Sequence, residues 1–204
     1  MWVCVGRPVT FEPIGMTKHF PLAQSPRPTP PAGGAAGRGA VNSLVQDSLV
    51  DLFAAYNVGL APLPTTWGTS WPVPEVSAAA AFKQRATGEL GRLTLSLTTS
   101  LLDQMKGAEA ATVKMDWARE LTSQLLGRIK NRLLHFGVQL EIGALSLLST
   151  QAVEERLKSA QGTRVYAART LRGLVLVTLQ GLPEDATLNY VGAASTAEGT
   201  LIWL

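Results

Sequence analysis

Between Asp116 and His135 the chain carries side chains of two chemical kinds at helical spacing. At 100° per residue, Leu121, Leu125, Ile129 and Leu133 form one apolar stripe, and Glu120, Ser123, Gln124, Gly127 and Asn131 line another edge. Any chemistry lies on that second edge, where a carboxylate, a hydroxyl and two amides can accept or donate hydrogen bonds. Gly127 costs the helix about 1 kcal/mol relative to alanine, so it either admits another backbone or is a tolerated defect. A plainer reading stands beside this one. Glu120 with Arg119, Arg128 and Lys130 makes a solvated charged face, Ser123 and Gly127 permit close packing, and Asp116 is an acid favoured by the helix dipole. Asn131 and His135, one turn apart, are either a polar pair or a spacer beside Phe136.

Composition removes several function classes. Eighteen basic against fifteen acidic residues give a net charge of +3. They are scattered, without the dense basic cluster that phosphate-backbone binding needs, so nucleic acid is not an expected partner. Arg164, Arg169 and Arg172 are the other notable charge set, read either as a solvated strand edge or as an anion site. The single Cys4 allows no internal disulfide, and His19 and His135 offer no ligand spacing, so no metal and no cofactor is expected. No Ser-His-Asp arrangement stands out, and the glycines at 33, 34 and 37 lack a preceding strand and the Lys-Ser/Thr ending of a phosphate loop. No run approaches the ~20 apolar residues of a membrane span. Gly6, Arg7 and Pro8 interrupt the apolar start before a signal-peptide core forms, which points to a reducing, cytoplasmic setting.

The elements that must position the polar edge follow from periodicity. Residues 21–40, rich in proline and glycine and poor in large apolar side chains, read as a linker, so residues 1–40 form a flexible extension and residues 41–204 the folded domain. A first helix is expected over 43–57, with Ser43 and Gln46 as a capping box and Gly59 as its stop. An irregular stretch with Trp67 and Trp71 follows, the indoles covering the core or marking a partner patch. Strands are expected at 75–84 and 89–97 with a turn at Thr87-Gly88, then a short helix 101–106 closed by Gly107, and the long helix 113–135 ended by Gly137. Residues 138–142 alternate as a half-buried strand, Thr150 caps a helix reaching Ala160, and strands are placed at 163–168, 171–179 and 200–204. This order predicts an α+β fold, a mostly antiparallel sheet with helices packed on one face.

The long-helix residues and the element order together resemble the CheC/CheX/FliY chemotaxis phosphatases. That family carries Asp or Ser, three residues, Glu, two residues, Asn along this helix, and a proline near the end of the next strand. Asp116 and Glu120 match by spacing, Gly127 fits the small residue that follows, and residues 98–107 look like the short helix that precedes. Ser123 stands where the family has Asn, and Ser146 falls near the place of the proline. The resemblance covers residues 41–204 in layout and implies a CheX-like domain.

It also implies a chemistry, the hydrolysis of an aspartyl phosphate on a response-regulator receiver domain. The glutamate pairs with a lysine of the regulator, and the Asn amide, donor and acceptor at once, holds water in line with phosphorus. Magnesium would come from the receiver's own acidic pocket. Such catalysis depends on positioning, and a shift of about 1 Å can cost on the order of 100-fold. Serine has a shorter reach, while Gln124, one position round, carries a longer amide. Two function classes therefore compete: a phosphatase using Glu120, Ser123 and Gln124, and an adaptor that docks a receiver through Asp116, Glu120, Gly127 and Asn131 without turning it over. The second is the preferred expectation, and self-association as a homodimer is open to either.

Overall fold

The computed structural model describes residues 39–63, 73–106, 110–159, 162–182, 188, 190 and 191. The expected N-terminal extension up to residue 38, Trp67, Trp71, Gly107, Ala160 and the strand at 200–204 lie outside them.

Helix α1, Ala40–Ala54, buries Val41, Leu44, Val45, Leu49, Leu52 and Phe53, the i, i+3, i+4 pattern of one apolar face. It begins three residues ahead of the expected start. Gly39, at φ 108, turns the chain into the helix and its carbonyl accepts the Ser43 N–H at 2.8 Å, with no side-chain cap, so the Ser43/Gln46 capping box does not form. The reason is burial, since Val41 is wholly enclosed and must already be helical. At the other end the Val58 N–H reaches Phe53 O and the Asn57 N–H reaches Ala54 O, both at 3.0 Å. Asn57 adopts φ 58, so it supplies the left-handed residue of this C-terminal cap, a role the sequence reading gave to Gly59.

Strands β1 (Ala61–Pro62), β2 (Val76–Gln84), β3 (Leu90–Leu97), β4 (Leu140–Leu148), β5 (Arg164–Arg169) and β6 (Leu174–Gln180) form one sheet in the order β1-β5-β6-β3-β2-β4. Every neighbouring pair is antiparallel. The β2–β3 hairpin lies within a residue of its expected bounds, turning through Gly88 at φ 75. Close packing fixes Gly91 as well, because a Cβ there would come within 2.2 Å of the Phe82 ring opposite it. β4 runs six residues past its expected end. Its alternation is broken at Gly143-Ala144, where Ala80 pairs with Leu145 but Phe82 with Ile142, a β-bulge that shifts the phase of the apolar pattern. Residues 171–173, expected as strand, are the β5–β6 turn, in which the Thr170 N–H donates to Gly173 O.

Alternation through these registers divides the sheet into two faces. Ala80, Phe82, Leu93, Leu95, Leu97, Tyr166, Val175, Val177 and Leu179 share one face and one core with α1, with α2 (Thr99–Lys106) and with α3 (Ala111–Leu133). The expected α+β fold is present, with three of the four described α-helices on this face of the sheet and the fourth on the opposite one. The other face carries Ala79, Thr94, Ser96 and Leu176, all buried but outside that core. Helix α4, Thr150–Ser159, lies there with Arg156 and Leu157 beside Arg92, Thr94 and Thr178. Its cap is Ser149, whose Oγ accepts the Ala152 N–H at 3.2 Å, one residue ahead of the expected Thr150.

Candidate functional site

Helix α3 carries the polar edge, and four constraints set its rotation. Leu121, Leu125, Ile129 and Leu133 are fully buried, each contributing about 1.5–3 kcal/mol of apolar transfer. Lys114 pairs with Asp103 of α2 at 2.7 Å. Arg132 clamps α1 through Asp47 at 3.6 Å and through Asp51. The fourth constraint is aromatic: Tyr56, just past α1, meets Trp117 edge to face with centroids 5.3 Å apart. With the apolar stripe held inward, Asp116, Glu120 and Asn131 stand exposed, and Ser123, Gln124 and Gly127 are half-buried.

Within this edge the side chains form a short relay. Tyr56 Oη donates to Gln124 Oε1 at 3.0 Å, and Gln124 Nε2 donates to Glu120 Oε1 at 2.8 Å. Glu120, as a carboxylate, can only accept, so the amide must present its nitrogen there and its oxygen to the tyrosine. Gln124 is thus engaged at both ends and orients Glu120 toward solvent. Ser123 is not part of the relay. Asp116 is paired with Arg119 at 3.2 Å. Among the described residues Gly127 admits no neighbouring backbone, since a Cβ there would meet nothing within 4 Å.

The expected site residues therefore occur as one contiguous strip, Asp116, Glu120, Ser123, Gly127 along one line and Gln124 and Asn131 beside it. Other expected groupings separate. His135 stacks on Tyr190 with centroids 6.5 Å apart, its carbonyl accepting the Val191 N–H. The three arginines disperse: Arg164 is half-buried at one end of β5, Arg169 is exposed at the other beside Ala61, and Arg172 is exposed in the following turn. Because β1 pairs only with Ala168 and Arg169, the Arg164 end of β5 has no described strand beyond it, and the three arginines do not gather into a single anion site. Among the described residues no group of three His, Cys, Asp or Glu could hold a metal ion, and no helix is long and apolar enough to cross a membrane.

The sequence reading missed Tyr56 as a site residue because its spacing also fits the core face of α1. Its position at the helix end, where a side chain can reach a neighbouring helix, was the available signal.

No family model and no curated protein matches the chain. Solved structures do, and they define the fold as that of CheX- and CheC-like chemotaxis proteins. The chemotaxis protein CheX from Vibrio vulnificus superposes with a TM-score of 0.55 at 12% identity, over 72% of this chain and 99% of that one. A CheC-like superfamily protein from Shewanella sp. PV-4 gives 0.56 at 16% identity, over 68% of this chain and 95% of that one. A chemotaxis protein CheX from Desulfovibrio desulfuricans gives 0.52 at 12% identity, over 68% and 97%.

Proposed function

We propose that the α3 edge from Asp116 to Asn131 is a docking surface for a response-regulator receiver domain, and that this chain is an adaptor in cytoplasmic chemotaxis- or motility-type signalling with little or no catalytic activity. The fold likeness supports the setting, and Glu120, exposed and held by Gln124, supports docking through a cation of the partner. The observation that carries the adaptor reading is the state of the amide. Gln124, the group of sufficient length to replace the missing Asn, is occupied by Tyr56 and Glu120, and water held by the shorter Ser123 would sit out of line.

An active phosphatase is the second reading, favoured by the carboxylate and the hydroxyl standing one turn apart on an accessible edge. The two separate in a single assay. Candidate receiver domains labelled as aspartyl phosphates are mixed with wild type, Ser123→Asn and Glu120→Ala, and loss of phosphate is followed. Wild type is expected to leave the hydrolysis rate near that of the receiver alone, and Ser123→Asn to raise it. Fast hydrolysis by wild type that Glu120→Ala abolishes would establish the phosphatase.

A further inference from the structure

The face of the sheet opposite the main core carries a second cluster of polar side chains. The β3–β6 register sets Arg92 opposite Gln180 and Thr94 opposite Thr178, so these four form one patch on that face. Helix α4 adds Arg156 above the patch, and Thr163, just ahead of β5, lines the same cleft. Gln180 Nε2 donates to Thr163 Oγ1 at 2.6 Å, which makes that hydroxyl an acceptor on one side and leaves its proton to give on the other. Among the described residues no carboxylate lines the cleft. The acids of α4, Glu154 and Glu155, are exposed, and Glu155 accepts from Gln151 at 2.9 Å. Two guanidiniums brought to one cleft repel each other, and both stay charged at neutral pH. Arg156 is held below the ordinary arginine value first by burial and then by the charge of Arg92.

We propose that this cleft binds a phosphate group as its dianion, with Arg92 and Arg156 as a clamp of two cations and Thr94, Thr163 and Thr178 as hydroxyl donors. The charge of such a group matches that of the two guanidiniums, and its oxygens, more numerous than a carboxylate's two, match the donors that converge there. Thr94 is 3% exposed, so water competes little for a bond to its hydroxyl. The cleft lies across the sheet from α3, and the proposal therefore stands apart from receiver docking.

Isothermal titration calorimetry of the full chain, at low ionic strength in mildly alkaline buffer, tests it with inorganic phosphate and glycerol phosphate as separate probes and acetate as the carboxylate control. Saturable binding of a phosphate probe is expected, weakened at least about tenfold by Arg92→Gln or Arg156→Gln and unchanged by Arg172→Gln, an exposed arginine elsewhere. Tighter binding of inorganic phosphate assigns the site to the free ion, and tighter binding of glycerol phosphate to a monoester. Either result supports the proposal. Thermal unfolding gives a second reading, because a ligand bound only by the folded state raises its midpoint. Phosphate should raise that of wild type, whereas Arg92→Gln, relieved of the repulsion, should unfold no lower than wild type without phosphate and respond little to it. Arg92 is exposed, so this variant decides the matter even where Arg156→Gln fails to fold. No saturable binding of either probe, equal binding by Arg92→Gln, or acetate bound as tightly as phosphate would overturn the proposal. So would phosphate binding seen only in Glu184→Gln/Asp185→Asn, which would assign the arginines to carboxylates of the chain itself, a few residues past β6.

Discussion

The two sides of α3 divide the work of the molecule. Its inner side, Leu121, Leu125, Ile129 and Leu133, is fully enclosed, and its outer edge, Asp116, Glu120, Gly127 and Asn131, makes few contacts that the fold needs. The inner side fixes the helix in rotation and so decides which residues form the outer edge. Stability and the proposed recognition therefore sit on one element but on separate residues, joined chiefly by the Tyr56–Gln124–Glu120 relay. Substitutions on the two sides should separate cleanly into those that move thermal unfolding and those that move binding.

The largest effect is expected inside. Leu125→Ala should destabilise the fold by about 2–5 kcal/mol through lost burial and the cavity left behind, read as a fall in Tm on the order of 5–15 °C by circular dichroism. Tyr56→Phe keeps the contact with Trp117 but removes the hydrogen bond to Gln124, so about 1 kcal/mol of stability should be lost. A loss as large as that of Leu125→Ala would show that the relay belongs to the core. Gly127→Ala should act in the other direction, raising stability by up to about 1 kcal/mol, because the added methyl enters open space in a helix. If it also weakens receiver binding, the partner's surface approaches α3 at this bare position. The smallest effect on folding is expected at Glu120→Lys, within about 0.5 kcal/mol of wild type in a denaturant titration, as befits an exposed side chain.

Legibility in the sequence followed the same division. The inner stripe and the fold class were readable because burial imposes a period of 3.6 on α3 and of 2 on the β2–β3 hairpin, and nothing local competes with either. The readings that failed depended on contacts distant in sequence or on local backbone geometry. The bulge at Gly143-Ala144 hid the second half of β4 by changing the phase of its alternation. Helix ends moved because Gly39 and Asn57 took left-handed conformations and Ser149 took the cap, choices that several nearby residues could have made equally well. On α3, the contiguity of the polar strip could be read from helical spacing alone. The engagement of Gln124 could not, since Tyr56 lies 68 positions away and its hydroxyl is brought there by the packing of α1 on α3.

In the proposed function, the outer edge of α3 docks a receiver domain through Glu120. The most direct measurement is titration of a phosphorylated candidate receiver into wild type and Glu120→Lys, at low and at high salt. Weaker binding by Glu120→Lys is expected, with a difference that shrinks as salt screens the charge, since rim charges act through complementarity and steering. Equal binding by the two proteins at low salt would remove this helix from the interface.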